Sequence, residues 1–354
     1  MATIREDTGL SFDDVLLVPR KSTINSRFDG EIDLSVELVP NVKLEFPLVS
    51  ANMDTITETD MSNEMYRLGG LGIVHRFLPA GLHYDMLTKI MGARILCVGV
   101  GEKEFERFSY FWERRNTINI QAVLVDVAHG YSTVMFEQID RIKRLAPNFP
   151  IIAGNVACYN GALDLLTAGI HSIKCGVGPG SVCSTRIQTG NGVPQLTAIM
   201  ECRRAIDDFC NGKNLSFVPT LIADGGVRAG GDVVKSLAGG ANAVMIGNLF
   251  AATEEATGEL VRTKTGIVKK YRGLASRDAQ ENWKGFATSI EGEMTFISYK
   301  GPVKNVFNEL ITGVLSGMSY QDAHNLKELQ ENAVFIRQTS AGYRESQPHA
   351  LLKE

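Results

Sequence analysis

Eight short apolar runs constrain what this chain can fold into more than any other feature. They are Phe46–Ser50, Leu71–His75, Ile95–Val100, Ala122–Asp126, Ile151–Gly154, Ser172–Cys175, Thr220–Asp224 and Ala243–Gly247. Each is rich in β-branched residues and nearly continuous rather than alternating. That pattern belongs to strands buried on both faces of a parallel sheet. The segments between them, such as Thr133–Leu145 and Gly161–Ala168, carry helix-type spacing. Eight β–α units in roughly 250 residues predict an α/β chain folded as a (β/α)8 TIM barrel. A doubly wound sheet is the competing architecture, but it would need fewer strands or more chain. No linker, low-complexity tract or charge block divides residues 1–354, so the expectation is a single domain.

Composition removes several classes of function. The chain has 36 Lys and Arg against 40 Asp and Glu, a net charge of −4, which leaves no basic excess to neutralise nucleic-acid phosphates. No apolar run reaches the ~18 residues that a membrane span needs. The first residues, MATIREDTGL, lack the apolar stretch of a secretory signal, so a cytoplasmic protein is expected. Six cysteines are scattered without CxxC pairing, which reads as reduced thiols. The six histidines form neither HExxH nor a metal triad; His75 and His129, at strand ends, read as polar rim residues. Phe77, Phe105, Phe108, Tyr110, Phe111 and Trp112 read as core and interface packing, with Tyr110–Trp112 looking exposed.

In such a barrel, chemistry gathers where strands end and βα loops begin. The sixth run leads into GVGPGSVCSTR, where glycines surround Ser181 and Cys183. Glycines let backbone amides approach an anion closely, and a cysteine on such a loop is either a nucleophile or a small buried filler. Asp224-Gly225-Gly226 and Gly247-Asn248 end the last two runs, the usual phosphate-binding region of a barrel. With Ser181 they imply a ligand carrying one phosphate. Asp224 has the acceptor oxygens for two hydroxyl hydrogens, as on a ribose. No GxxxxGK[ST] and no GxGxxG occurs, so neither a triphosphate cradle nor a Rossmann site is supported. After the eighth run, the polar stretch Arg277–Thr288 suggests a lid within a flap near residues 274–300. Glu291 at its edge is either an acid–base residue or a solvated carboxylate.

Taken together, LSFDDVLLVPRKSTINSR, SANMDTIT, DVAHGYS, GVGPGSVCSTR, IADGGV, VMIGN and YRGLAS closely resemble the IMP dehydrogenase/GMP reductase family, over nearly the whole length. GPGSVCSTR followed by TGNGVPQ is the most specific part. The resemblance implies a barrel that binds a purine nucleoside 5′-monophosphate, with Cys183 attacking C2 to form a covalent thioimidate. It implies Asp224 on the ribose, with Ser181, Gly225, Gly226, Gly247, Asn248 and Tyr271 at the phosphate and Gly273, Leu274 and Ala275 also at the substrate. Asp126, Val127, Ala128, Val177 and Gly178 would lie at the nicotinamide end. Carbonyls of Gly178, Gly180 and Cys183, with Arg186 nearby, match a monovalent-cation site, so K+ is expected. The resemblance also implies a homotetramer.

Within the family, the reductase branch is favoured. The piece from Leu78 to Gly92 leaves room for one helix, so the regulatory CBS insert common in dehydrogenases is absent. Between Ser276 and Glu291 there is no Arg-Tyr pair of the kind that activates water in dehydrogenases. Thr185 and Glu291 match the pair that reductases use to handle the ammonia proton. Ser26 and Arg27 match a reductase dinucleotide contact, and an Arg there would suit the 2′-phosphate of NADPH. Arg76, assigned to the cofactor, stands where the family often has Lys. In the other direction, GGLGIVHR, YRG and the tail TSAGYRESQPH look more like an IMP dehydrogenase using NAD.

Overall fold

The computed structural model describes residues 3–28 and 30–348; His349 and the end of the tail lie outside the described residues. Its centre is an eight-stranded sheet. We number the strands β1 (Leu48–Ser50), β2 (Leu71–Gly72), β3 (Ile95–Val98), β4 (Ala122–Asp126), β5 (Ile151–Val156), β6 (Ser172–Cys175), β7 (Thr220–Asp224) and β8 (Ala243–Ile246). The order β2-β1-β8-β7-β6-β5-β4-β3 is that of a parallel barrel, with its seam between β2 and β3. Along β3, β6 and β8 every residue is buried, as continuous apolar runs require.

Helices alternate with the strands: α1 (Thr59–Arg67), α2 (Ala80–Thr88), α3 (Glu102–Glu113), α4 (Thr133–Leu145), α5 (Tyr159–Thr167), α6 (Gln195–Cys210), α7 (Gly230–Ala238) and α8 (Val303–Tyr320). The connection from β2 to β3 holds α2, in the place where the sequence leaves room for one helix. All eight expected runs are strands, and five have different ends; β8 stops one residue early, at Ile246. β1 starts after Pro47, which has no amide hydrogen for the ladder. β2 stops at Gly72, which lies so close to α1 that a Cβ there would sit 2.4 Å from Ser62 Cα. β3 ends two residues early, at Val98, whereas β5 continues to Val156.

The other mouth of the barrel is closed by a hairpin of Val36–Val39 and Val42–Leu44. It buries Leu38, Val39, Val42 and Leu44, and the Leu38 carbonyl accepts a bond from Thr220 Oγ1 at the start of β7. Between β8 and α8 the chain makes an excursion over the mouth formed by the C-terminal ends of the strands. This is a three-stranded antiparallel sheet, β9 (Leu260–Thr263), β10 (Gly266–Arg272) and β11 (Met294–Ser298), with a helix at Arg277–Lys284. The expected lid is therefore the helical tip of a larger unit that begins at residue 260. Arg272 fastens it: its Nε lies 3.1 Å from Asp54 Oδ2, and its other arm pairs with Asp278 at 2.5 Å.

Two expectations need correction. His75 is not a rim residue: it is 2% exposed, takes the Phe77 amide on Nδ1 at 3.2 Å and places Nε2 3.2 Å from Glu58. The aromatics of α3 are not exposed either. Phe108 and Phe111 are fully buried, and Trp112 packs 5.1 Å from Phe149, centroid to centroid, because the helix turns this stripe inward. Among the described residues no helix is long and apolar enough to cross a membrane.

Candidate functional site

Two adjoining cavities occupy the mouth formed by the C-terminal ends of the strands. One, of about 410 Å³, is bounded by the β1, β4, β6 and β7 ends, the loop after β6 and the flap helix. The other, of about 490 Å³, runs toward Ser181, Gly226, Gly247 and Asn248. They share Asp224, Gly225, Gly180 and Tyr271 as a common wall.

Cys183, Thr185 and Glu291 all border the first cavity. The Cys183 thiol donates to Thr185 Oγ1 at 3.2 Å, a contact that the two-residue spacing at the start of the short helix Thr185–Thr189 makes possible. Glu291 comes from the far side of the flap, and four backbone bonds bring it in. Ser184 N–H donates to the Glu291 carbonyl at 3.0 Å, and Glu293 N–H to that of Val182 at 2.9 Å. Glu291 N–H donates to Ala275 at 3.1 Å, and Gly273 N–H to Glu293 at 2.9 Å. The cysteine loop, the turn at 273–276 and the glutamate strand are thus one backbone unit. Gly292 at its centre is buried, and a Cβ there would lie 3.1 Å from Ser276 N.

The second cavity holds groups suited to a phosphate. Asn248 Nδ2 donates to Ser181 Oγ at 3.2 Å, and the Tyr271 hydroxyl stands 3.5 Å from the same oxygen. Burial pushes the Tyr271 phenol up to about 12, so it stays a neutral donor. Gly247 is required here, since a Cβ would come within 3.0 Å of that hydroxyl. Gly225 and Gly226 turn with φ of +90° and +85°, the left-handed region that glycine enters freely.

The cofactor expectations divide. Arg76, Asp126, Val127, Ala128 and Gly178 border the first cavity. The Arg76 guanidinium carbon lies 4.5 Å from the centroid of the Phe77 ring, and that ring lies 4.6 Å from the flap residue Trp283. Val177 packs against the core behind the loop, its carbonyl taken by Arg186 Nε at 3.1 Å. Ser26 and Arg27 lie outside both cavities of their own chain; Arg27 donates to Ser316 on α8.

No cluster of three or more His, Cys, Asp or Glu suited to a metal ion occurs among the described residues. The carbonyls of Gly178, Gly180 and Cys183 are neutral, hard oxygen donors within one turn of chain. That donor set fits a monovalent hard cation better than a transition metal.

The sequence reading missed the buried polar layer beneath the first cavity. Lys174, on β6, is 4% exposed. Its ammonium reaches Asp126 Oδ1 at 3.0 Å, Asn155 Oδ1 at 2.7 Å and Asp224 Oδ2. Asn52 donates to Asp126 Oδ2 at 2.7 Å, and Asn155 to Asp224 Oδ2 at 2.9 Å. Burial opposes charge on both Lys174 and Asp126, but their attraction wins: the lysine is held above its usual range and the carboxyl below. The available signal was a lysine inside SIKC, a run otherwise fit for burial on both faces.

Comparison with known proteins agrees with this geometry. A family model described as the IMP dehydrogenase / GMP reductase domain matches residues 9–349. An inosine-5′-monophosphate dehydrogenase of Aquifex aeolicus is 32% identical over 484 aligned positions, covering 96% of this chain and 95% of that protein. The aligned span exceeds this chain's own length, so that relative has segments that this chain lacks. An inosine-5′-monophosphate dehydrogenase of Cryptosporidium parvum is 32% identical over 406 positions, covering 99% and 97%. A solved structure of GMP reductase from Trypanosoma brucei, in complex with guanosine 5′-monophosphate, superposes with a TM-score of 0.88 at 26% identity, covering 98% of each chain.

Proposed function

The chain belongs to the IMP dehydrogenase/GMP reductase family of oxidoreductases, and within it we propose that the protein is a GMP reductase: GMP + NADPH + H+ → IMP + NH3 + NADP+. The observation that carries this reading is the Cys183–Thr185 contact, with Glu291 bonded across the same loop. Cys183 attacks C2 of the purine, and the bond from C2 to the exocyclic nitrogen breaks, leaving a thioimidate. Thr185 and Glu291 carry the proton to the departing ammonia. The nicotinamide supplies a hydride to C2, after which the C–S bond breaks and the thiolate returns.

Asp224 holds the ribose in this scheme, and Ser181, Gly226, Gly247, Asn248 and Tyr271 hold the phosphate. Gly225, Gly273, Leu274 and Ala275 complete the substrate wall. The dinucleotide lies against Arg76, Asp126, Val127, Ala128 and Gly178. A contact from Ser26 and Arg27 to its 2′-phosphate has to come from a second copy, in keeping with a homotetramer. The carbonyls of Gly178, Gly180 and Cys183, beside Arg186, would hold K+. The protein works as one catalytic barrel without a regulatory insert, in the cytoplasm.

The second reading is an IMP dehydrogenase that uses NAD, favoured by the names of the two relatives at 32% identity. It requires a water-activating base. The flap between Ser276 and Glu291 has no Arg-Tyr pair to supply one. Absorbance at 340 nm with K+ present separates the two. A fall with GMP and NADPH, with ammonia released, is the expected result. A rise with IMP and NAD+ and no reaction in the first mixture would overturn the reductase assignment.

A further inference from the structure

The buried lysine of β6 has a role that neither the motifs nor the proposed chemistry assigns. Lysine has three donor hydrogens, and Lys174 has three acceptors, from the ends of β4, β5 and β7. One of them, Asp224 Oδ2, also takes the amide of Asn155 at 2.9 Å. Two donors saturate that oxygen. Asp224 Oδ1 takes no hydrogen bond among the described residues, and Asp224 borders both cavities. The carboxylate is therefore fixed by one oxygen from behind and offers the other in front. The same ammonium also holds Asp126, so one side chain ties the ends of β4 and β7 together, with Asp126 at 13% and Asp224 at 21% side-chain exposure.

We infer that Lys174 is a positioning residue that clamps Asp224 Oδ2 and aims Oδ1 at the sugar hydroxyls of the bound nucleotide. Lys174 itself touches no reacting atom in this scheme. Its effect is confined to the part of the binding free energy that comes from the hydroxyls. A hydrogen bond to a charged acceptor is worth about 1.5–3 kcal/mol, so hydroxyl recognition should amount to about 10- to 100-fold in affinity.

The inference rests on the reading of the cavity as a nucleotide site, and calorimetric titration tests both. GMP, IMP and 2′,3′-dideoxyguanosine 5′-monophosphate are titrated into the wild-type protein, Lys174→Met and Lys174→Gln. Gln keeps a neutral donor at the site and is the milder change to the buried layer. Wild-type protein should bind GMP about 10- to 100-fold more tightly than the dideoxy analogue. In each folded variant that ratio should collapse to within about threefold, because GMP weakens while the analogue holds its affinity. A merely structural role would weaken both ligands together. A variant that keeps the wild-type ratio overturns the role of Lys174 and leaves the nucleotide reading intact. A wild-type protein that binds neither GMP nor IMP overturns the nucleotide reading, and this inference with it.

Discussion

Gly292→Ala tests whether Glu291 acts through the backbone unit that carries it. A Cβ at Gly292 would lie 3.1 Å from Ser276 N, 3.3 Å from Gly273 Cα and 3.4 Å from the Ala275 carbonyl carbon. All three are backbone atoms with nowhere to swing. Heavy atoms relax at about 3.5–4.0 Å, so the 291–293 strand must lift by roughly 0.4 Å. The Glu291 N–H···O=C Ala275 bond, now 3.1 Å, then opens toward about 3.5 Å, beyond the range in which such bonds keep their strength. A misplacement of about 1 Å costs on the order of 100-fold in rate. Scaled to the smaller shift, kcat should fall about tenfold. The nucleotide KM should stay within about twofold, because Asp224, Gly247 and Asn248 stand on other elements. Overpacking of this kind costs about 1–3 kcal/mol, which in a chain of 354 residues lowers Tm by only a few degrees. Initial rates at 340 nm with saturating cofactor, beside a melting curve, give the answer. A folded Gly292→Ala protein with wild-type kcat would refute the claim that this strand sets the position of Glu291. A higher KM with kcat retained would make the strand a substrate wall instead.

Three other perturbations have defined outcomes. Cys183→Ala should abolish turnover while GMP still binds by calorimetry; measurable turnover would end the covalent mechanism. Trp283→Ala removes a ring pair with Phe77 at 4.6 Å, worth about 0.5–1.5 kcal/mol, and should raise the dinucleotide KM about 2- to 10-fold with Tm nearly unchanged; an unchanged KM would show that this contact does not hold the flap. His83 is fully buried against Phe111, and its pKa is lowered to about 3, first by burial and then by Arg107 and His75. Below its ordinary pKa of 6.5 the unfolded chain takes a proton there that the folded chain refuses, so stability falls as pH drops, by about 2 kcal/mol at pH 5. His83→Met should flatten that part of the slope in urea melts at pH 7 and pH 5, and a slope equal to wild type would show that His83 is not its source.

The eight strands were legible because burial on both faces writes itself into consecutive residues, and the loops after the sixth, seventh and eighth were legible because glycine marks them, although the exact strand ends were not. Cys183, Ser181, Asp224 and Asn248 all stand beside such glycines. The flap was legible only as a polar stretch. GIVKKYR, which forms β10, carries more charge than a barrel strand and pairs antiparallel with segments on both sides of it in sequence. The placement of Ser26 and Arg27 outside their own chain's cavities could not be read from a motif, since a motif does not say where the fold sets its residues. Lys174 was hidden for a different reason. Its three partners come from β4, β5 and β7, and nothing in the sequence near SIKC names them. Yet the physics of the strand already required partners. A lysine in a run that is otherwise buried has no route for its ammonium to water, and an unpaired charge there costs several kcal/mol. Acceptors therefore had to lie at the same level of the barrel, and the carboxylates that end the fourth and seventh runs, Asp126 and Asp224, were already identified. A polar residue inside a doubly buried strand points to the strand ends around it, and in this barrel that leads from Lys174 to the residues that border the cavity.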